Sequence, residues 1–348
     1  MHVLVIGGTG FIGYHIVKQL QAQGHCVRLL SRHPERARKT FGRDVDYQAG
    51  DLNFFRDINF RELFDGIDAI IYAAGSDERQ TPSGDPYTFF YQDNVTTCIN
   101  MLEFAREAGI HRAIVLGSIF TYFARQHPEL QLDRHHPYIR SRVEQQKQAL
   151  ALAGPQFTVN VIEIPFVFGH TPGQPTIWKN LVHYIRVAAP MVAPPGGANM
   201  ISVNTLATAI VNTLQQPQES GPLPVGDVNL TWVELMQRLG TILNKKNVKI
   251  THMQSGVLAD LTRMGAFFQD LVGFKSGLDH HQISQLITFE AFFDTGEIKQ
   301  RLHYEGGDLD QALADTVRAC PDNPLVSGLQ KAVDWLDHYL NTNSKKPG

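Results

Sequence analysis

The segment Val3-Leu4-Val5-Ile6-Gly7-Gly8-Thr9-Gly10-Phe11-Ile12-Gly13 decides the fold of this chain. Its first four residues are apolar and have the composition of a buried strand, and the run stops at Gly7. Apolar residues then return at helical spacing, at Ile12, Ile16, Val17 and Leu20. The segment therefore predicts a strand, a tight glycine turn and an amphipathic helix, in that order.

Glycines at positions 7, 10 and 13 give this turn the spacing of a dinucleotide-binding cradle. Gly7 permits the turn, Gly10 lets the backbone approach a pyrophosphate, and Gly13 lets the helix pack closely on the strand. The unpaired N–H groups of the first helical turn then face the phosphates. The alternative is a glycine turn with a structural role alone. We expect a cofactor to bind at Gly7, Thr9, Gly10, Phe11, Ile12 and Gly13.

Strand and helix patterns alternate through the first half of the chain. Apolar runs predict six strands, at 2–6, 26–30, 45–48, 69–72, 113–116 and 159–164. Helical periodicity lies between them and is clearest at 88–109 and 138–153. Such alternation predicts an α/β fold, with a Rossmann-type doubly wound parallel sheet covered by helices on both faces.

Segments rich in proline and glycine begin at Pro165 and indicate that the chain leaves the sheet there. A helix pattern at 202–214 and a strand pattern at 223–225 indicate a return. We therefore assign residues 1–168 and the return segment 198–228 to a dinucleotide-binding domain.

The rest of the chain forms a smaller, mostly helical C-terminal substrate domain, made of residues 169–197 and 229–340, and a polar tail at 341–348. Within that domain, residues 257–272 are apolar at helical spacing. This pattern fits a helix on the core, an apolar wall of the substrate pocket or a surface that meets a partner.

Bulk composition excludes several classes of protein. The 348 residues are 43% apolar and 19% charged, as in soluble globular proteins. A net charge of −3 gives no electrostatic case for binding nucleic acid. The chain has no apolar run of the roughly 18 residues that span a membrane, and its N-terminal strand argues against a signal peptide. Cys26, Cys98 and Cys320 form no metal or redox motif and indicate a reducing compartment, which we take to be the cytoplasm.

The end of the second strand bears on the choice between NAD and NADP. An acidic residue there would bind the ribose 2′-hydroxyl of NAD, but the chain reads Leu30-Ser31-Arg32-His33-Pro34-Glu35-Arg36. Arg32, alone or with Arg36, offers charge-assisted hydrogen bonds to a 2′-phosphate. We therefore predict NADP rather than NAD; the alternative is a basic helix start with exposed arginines.

Two further strand ends offer cofactor contacts. Asp51 follows the third strand. A carboxylate at this place can accept a hydrogen bond from the adenine amino group of the cofactor. The alternative is that Asp51 only stabilises a turn or caps a helix. Ala73 and Ala74 end the fourth strand, and their small side chains leave room for a cofactor close to the backbone.

A candidate catalytic group follows the fifth strand. Ser118 lies just beyond that strand, and Tyr138 and Arg142 are four residues apart, on one face of the next long helix. A tyrosine placed over a nicotinamide exchanges a proton with a carbonyl or hydroxyl group. A nearby cation favours the phenolate, and a hydroxyl donor orients the substrate oxygen. Arg142 and Ser118 would fill those two roles.

Taken together, these features resemble the extended short-chain dehydrogenase/reductase superfamily, in its NAD-dependent epimerase/dehydratase group. The matching features run in order over about residues 2–320: the turn at 7–13, Asp51-Leu52, Ala73-Ala74, Asn94, Ser118, Tyr138, 165–169, 203–207 and 293–295. Within the group, Val27-Arg28 and residues 31–34 resemble the NADP-dependent dihydroflavonol reductase-like branch. The resemblance implies that Leu52, Tyr138, Arg142 and Pro165 also contact the cofactor. It further implies a homodimer formed through 88–109 and 138–153.

Arg142 departs from the family pattern Tyr-x-x-x-Lys. The resemblance implies that the lysine lowers the tyrosine pKa and hydrogen-bonds the nicotinamide ribose. Arginine keeps the charge, but it is larger, planar and effectively never deprotonated.

A second departure concerns the substrate. Ile164 stands where an arginine commonly precedes Pro165, and residues 196–201 lack an arginine that nucleotide-sugar enzymes tend to carry. An electrostatic clamp on a substrate diphosphate is therefore poorly supplied, with Lys179 or Arg186 as substitutes.

Polar residues near these motifs have structural interpretations. His127, His135 and His136 match no strong metal-site spacing, so we interpret them as solvated loop residues and predict no metal. Asn94 either satisfies backbone groups in a kinked helix or joins a proton relay, and we favour the structural use.

Three functions compete for this chain. The first is an NADP-dependent oxidoreductase that passes hydride to or from a small or medium carbonyl or hydroxyl compound, with Tyr138 as acid–base. The second is a nucleotide-sugar epimerase or dehydratase, which uses the same cradle. The third is a non-catalytic NADP-binding sensor or assembly factor, in which Arg142 reflects a lost active site.

Overall fold

A computed structural model describes residues 1–188, 190–216, 219–245, 249–253, 276–279, 281–321 and 323. The helix pattern at 257–272 and the tail at 341–348 lie outside the described residues.

The strands are numbered here in chain order over the described residues. They are β1 (His2–Ile6), β2 (Cys26–Ser31), β3 (Val45–Ala49), β4 (Ala69–Tyr72), β5 (Arg112–Leu116), β6 (Thr158–Glu163), β7 (Phe166–Phe168), β8 (Met191–Ala193), β9 (Gly197–Ser202), β10 (Gly221–Pro224), β11 (Val228–Thr231), β12 (Ile250–His252) and β13 (Glu290–Ala291).

The α-helices are numbered in the same way. They are α1 (Phe11–Ala22), α2 (Pro34–Phe41), α3 (Phe60–Phe64), α4 (Pro86–Phe90), α5 (Thr97–Glu107), α6 (Ile119–Gln126), α7 (Leu132–His135), α8 (Pro137–Ala151), α9 (Lys179–Val187), α10 (Val203–Gln215), α11 (Trp232–Ile242), α12 (Ile283–Thr288), α13 (Gly296–Leu302) and α14 (Leu309–Arg318). A π-helical turn, Tyr91–Thr96, joins α4 to α5.

The main sheet runs β10-β6-β5-β4-β1-β2-β3, with every pair parallel. This order is the doubly wound arrangement 3-2-1-4-5-6 with a seventh strand added beside β6. All six predicted strands are present, each within one residue of its predicted bounds. The predicted fold class is therefore confirmed.

The sheet is buried on both faces because successive side chains of its strands enter opposite cores. In β1, Val3 and Val5 pack in one cluster with Ile16 of α1, whereas Leu4 and Ile6 pack in another with residues of α5. A strand covered on both faces needs a continuous apolar run, which explains why these strands are readable in the sequence.

A smaller sheet, not predicted, lies beyond the main one. Its central strand β9 pairs antiparallel with β11 and parallel with β7 and β13. The chain then returns as predicted, because β10 joins the main sheet and α10 packs against α1. The division into cofactor and substrate domains stays a prediction.

The helices of the described residues all fall short of the length and apolar character needed to cross a bilayer.

Candidate active site

The glycine turn between β1 and α1 is tightly built. Gly7 has a φ of +83°, and a Cβ there would lie 2.7 Å from the backbone of Ala73. A Cβ at Gly13 would lie 2.2 Å from the Gly7 carbonyl oxygen. By contrast, a Cβ at Gly10 would meet only that same oxygen, at 3.2 Å. Gly7 and Gly13 are therefore required by packing, whereas a Cβ at Gly10 would make this one tight contact and meet no other atom within 4 Å, so there is space on the side where a phosphate would bind.

The start of α1 offers free donors beside that space. Gly10 is the N-cap residue, and no side chain caps the helix. The backbone N–H groups of the first turn are thus left to a ligand or water, which is the usual anion site of a helix N-terminus.

A cavity of about 690 Å³ runs along the carboxyl ends of β1 to β4. The predicted cofactor residues that line it are Gly7, Thr9, Arg32, Asp51, Leu52 and Ala74. The other predicted cofactor residues do not line the cavity: Gly10, Phe11, Ile12, Gly13, Ala73, Tyr138, Arg142 and Pro165. The sheet order alone brings these strand ends together.

Arg32 and Asp51 lie at one end of this cavity. Arg32 is exposed and makes no ion pair with any residue that the structure describes, so its guanidinium is available to an anion. Asp51 Oδ1 accepts hydrogen bonds from the backbone and side-chain nitrogens of Asn53, at 3.0 and 3.1 Å. Asp51 is thus a turn aspartate that also faces the cavity.

The three candidate catalytic residues meet at one point. Tyr138, in the first turn of α8, is 4% exposed, and its hydroxyl oxygen lies 3.3 Å from Arg142 Nε. The Ser118 hydroxyl lies near enough to the same phenol to lower its pKa. Ser118 also caps α6, because its Oγ accepts from Phe120 N at 3.4 Å. The helical spacing and the strand end therefore bring these three side chains together, and their catalytic roles stay a prediction.

Arg142 uses the rest of its guanidinium to hold the surrounding backbone. Nη1 donates to the Gln145 side chain at 2.9 Å and to the Leu116 carbonyl at 3.4 Å, and Nη2 donates to the Ser76 carbonyl at 3.1 Å. Ser76 lines the cavity, so Arg142 connects the catalytic group to the cavity's other end. A lysine has a single nitrogen and could not span these partners.

The environment of Tyr138 favours the protonated phenol. Burial raises its pKa, while the Arg142 guanidinium opposes that rise and Glu78 adds to it. The side chain is ringed by apolar groups, with the Phe90 ring perpendicular to it at a centroid distance of 5.6 Å. At neutral pH the free protein therefore carries a neutral phenol between a hydroxyl and a cation.

The sequence analysis named Asn94 but not the site residues Ser76, Asp93, Ser141 and Gln145. Ser76 donates its N–H to Asn94 Oδ1 at 2.8 Å and its hydroxyl to Asp93 Oδ2 at 2.5 Å. Asn94 lies in the π-helical turn and donates in addition to Ser141 Oγ at 3.2 Å. The i, i+3 spacing of Gln145 from Arg142 was a readable signal, whereas nothing in the sequence links Ser76 to either helix.

One interpretation of the histidines needs correction. His127 is partly exposed and pairs with Glu129 at 3.0 Å, as a solvated loop residue would. His136, however, is buried at the start of α8, where its Nδ1 accepts from Asp279 N at 3.0 Å. It was misread because the contact comes from a segment 143 residues away. Over the described part of the chain, no group of His, Cys, Asp or Glu has the arrangement of a metal site.

Curated proteins similar to this chain include reductases. A putative dihydroflavonol 4-reductase of Synechocystis sp. is 22% identical over 336 residues, covering 90% of this chain and 92% of that protein. The 4-hydroxy-2-methyl-3-oxo-4-farnesyl-3,4-dihydroquinoline-1-oxide ketoreductase of Stigmatella aurantiaca is 28% identical over 177 residues. That second alignment covers 49% of this chain and 51% of the ketoreductase, so it spans about half of each.

Solved structures share the fold. The structure of gox2253 has a TM-score of 0.75 at 18% identity and covers 91% of this chain and 97% of its own. MoeE5 in complex with UDP-glucuronic acid and NAD has a TM-score of 0.61 at 16% identity, covering 92% and 98%. A human epimerase family protein with NADPH has a TM-score of 0.60 at 17% identity, covering 91% and 99%.

A family comparison covers more than half of the chain. Residues 3–220 match the NAD-dependent epimerase/dehydratase family, whose members and relatives here are NAD(P)-dependent reductases and epimerases. The predicted superfamily and the prediction of an NAD(P)-dependent enzyme are thereby confirmed. The chain belongs to the NAD-dependent epimerase/dehydratase family.

Proposed function

We propose that the protein is an NADP-dependent oxidoreductase that transfers hydride to or from a small or medium carbonyl or hydroxyl compound. One observation carries this proposal: the Tyr138 phenol, the Ser118 hydroxyl and the Arg142 guanidinium meet next to Ser76, at the end of the dinucleotide cavity. A proton donor, an orienting hydroxyl and a cation are the groups that carbonyl reduction requires.

Each residue has a definite part in the reaction. The nicotinamide, when bound, supplies or accepts the hydride. Tyr138 gives its proton to the carbonyl oxygen in reduction and takes one from the hydroxyl in oxidation. Ser118 orients that oxygen, and Arg142 stabilises the phenolate that reduction leaves behind. Arg32 would hold the 2′-phosphate, because no carboxylate stands at position 31 to prefer NAD.

The surroundings of Tyr138 favour an uncharged substrate. The Phe123 and Phe293 rings pack in the same cluster as Tyr138. Arg125, on the helix that Ser118 caps, is held by both carboxylate oxygens of the buried Glu163, at 2.9 and 3.0 Å. A substrate diphosphate could use Arg125 only by competing with that carboxylate, which is one reason to place a carbonyl compound ahead of a nucleotide sugar.

A substrate panel separates these two functions. Purified protein mixed with NADPH and a panel of aldehydes and ketones should consume NADPH in proportion to product. An epimerase would hold its cofactor tightly, show little net consumption and act on UDP-sugars. Net consumption with no member of the panel, together with turnover of a UDP-sugar, would overturn the proposal.

Arg142 variants test the non-catalytic alternative. Arg142→Lys keeps the positive charge beside Tyr138 but loses the hydrogen bonds to Ser76 and Gln145. Arg142→Met loses the charge as well as these hydrogen bonds. For a working site we expect slow but measurable turnover with lysine and far less with methionine. If neither the unaltered protein nor Arg142→Lys converts any compound, the sensor or assembly-factor function takes precedence.

We also propose that the protein forms a homodimer through α5 and α8, in keeping with the family resemblance. These helices pack against each other within the chain, and Phe104 of α5 is 36% exposed. Sedimentation velocity should give a dimer mass for the unaltered protein, and a monomer mass would contradict this proposal.

A further inference from the structure

A loop from the middle of the chain closes the dinucleotide cavity. Residues 170–175 follow β7, a strand of the small sheet. Even so, Gly173, Gln174 and Pro175 line the same cavity as Gly7 and Thr9. The cavity therefore has a wall that the glycine motif does not include.

Side-chain hydrogen bonds fasten this loop to the glycine turn and to α1. Thr171 Oγ1 donates to the Phe11 carbonyl at 3.1 Å, and His15 Nε2 donates to the His170 carbonyl at 2.9 Å. At the cavity itself, Gln174 Nε2 donates to the Thr9 carbonyl at 2.8 Å. Six polar groups, three donors and three acceptors, are thus paired between the loop and the glycine turn with α1 before any cofactor is present.

Gln174 has capacity left for a ligand. Its amide nitrogen carries two N–H groups, and only the one on the Thr9 carbonyl has a partner among the residues that the structure describes. The bond also offsets the partial negative charge of the Thr9 carbonyl, which would otherwise repel a phosphate bound at the turn. The second N–H belongs to a residue that lines the cavity together with Gly7 and Thr9 of the glycine turn.

We propose that Gln174 is a further cofactor-binding residue, one that holds the pyrophosphate of the dinucleotide from the side opposite α1. The inference rests on the proposed function, because it assumes a dinucleotide in this cavity. The pyrophosphate is common to NADPH, NADH and ADP-ribose. Gln174 must therefore act equally on all three ligands, whereas Arg32 acts on NADPH alone.

The test measures dissociation constants and dissociation rates of these three ligands for two variants. Gln174→Met keeps the length of the side chain and removes both donors. We expect it to raise the dissociation constant of each ligand by the same factor, about tenfold, as for one hydrogen bond to a charged group. Gln174→Glu adds a carboxylate that repels the pyrophosphate, so at low salt it should bind each ligand more weakly than Gln174→Met does. The difference in dissociation constant between the two variants should become smaller as salt is added. Gln311→Met, an exposed glutamine of α14 that does not line the cavity, is the matched control.

The possible outcomes distinguish failure of this inference from failure of the proposed function on which it rests. Unchanged binding of all three ligands by both Gln174 variants would overturn the inference and leave the proposed function standing. A loss confined to NADPH, or a loss of stability in the ligand-free variants with unchanged dissociation rates, would overturn it as well. If the unaltered protein binds none of the three ligands, the proposed function fails first.

Discussion

At the scale of single residues, Arg142 shows how one substitution redistributes several contacts. Its guanidinium serves the Tyr138 phenol, and it also fixes the loop after β4 through the Ser76 carbonyl. A residue with five donors in a rigid fork can do both. The departure from the family lysine is therefore compatible with an assembled proton-transfer site.

Arg32 decides the first prediction. Arg32→Ala should weaken NADPH binding by about 1.5–3 kcal/mol, the range for a hydrogen bond to a charged group. It should leave the affinity for NADH unchanged. Titration calorimetry with both cofactors measures the difference. Equal affinities of the unaltered protein for NADPH and NADH would remove Arg32 from the site.

The environment of Tyr138 sets the pH dependence. Because burial raises its pKa, the phenol stays protonated through neutral pH. The rate of carbonyl reduction should therefore be independent of pH in that range and fall only above the ordinary tyrosine pKa of about 10. Oxidation of an alcohol needs the phenolate and should rise over the same range.

Two substitutions should move this pH profile in opposite directions. Glu78 raises the pKa of Tyr138, so Glu78→Gln should shift both limbs of the profile, the fall in reduction rate and the rise in oxidation rate, to lower pH. Arg142 lowers that pKa, so Arg142→Met should shift them to higher pH. Initial rates measured across pH give the shifts, and limbs that stay fixed in both variants would mean that another group titrates.

At the scale of elements, the glycine turn joins two functions in one segment. Its first and third glycines are fixed by packing against Ala73 and against the turn itself. A Cβ on the middle glycine would make a single contact, with the Gly7 carbonyl oxygen, next to an uncapped helix. Spacing in the sequence identified the motif, and only the structure separates these two kinds of glycine.

A matched pair of alanines tests that separation. Gly10→Ala should lose less stability than Gly13→Ala, because its Cβ lies 3.2 Å rather than 2.2 Å from the Gly7 carbonyl oxygen. It should lose NADPH affinity, because the added methyl enters the space of the pyrophosphate. Gly13→Ala should be destabilised by about 1–3 kcal/mol even without cofactor, because its Cβ meets a backbone oxygen. Thermal melts of both ligand-free variants decide the matter, and an equal loss of stability would refute the assignment.

Burial on both faces makes a strand easy to predict from the sequence, but less so where the strand follows a segment rich in proline and glycine. β4 is buried along its whole length, and such a strand shows as an apolar run. β9 is also buried throughout, but it follows a segment rich in proline and glycine, and its partners come from three distant parts of the chain. Pairings of that kind leave no local pattern. The Tyr138–Arg142 pair was predictable from helical spacing, whereas the contacts of Ser76 and Gln174 exist only once the chain has folded.

At the scale of the whole molecule, an ion pair on a buried aspartate connects α13 to the return segment. Lys299 of α13 lies 2.6 Å from Asp227, whose side chain is 2% exposed. The same carboxylate accepts from Gly307 N at 3.1 Å. The pair joins residues 72 positions apart, so its loss should be felt in global stability.

Lys299→Met should lower the free energy of unfolding by about 3 kcal/mol, as expected when a buried charge loses its partner. The control is Arg238→Met, which breaks a pair with Asp310 that is exposed on both sides and should cost about 1 kcal/mol or less. Denaturant unfolding measures both. Equal costs would show that the Asp227 pair is no more important than a surface pair.

Hydride transfer with proton donation by Tyr138 is the central claim, and one measurement tests it most directly. Unaltered protein and Tyr138→Phe are each given NADPH deuterated at C4 and the responsive ketone from the substrate panel, and the product alcohol is followed by mass spectrometry. We predict an alcohol that carries one deuterium, formed two to four powers of ten more slowly by the variant, whose NADPH affinity is unchanged. Formation of the labelled alcohol at the same rate by both proteins, or no labelled alcohol from the unaltered protein, would contradict the account.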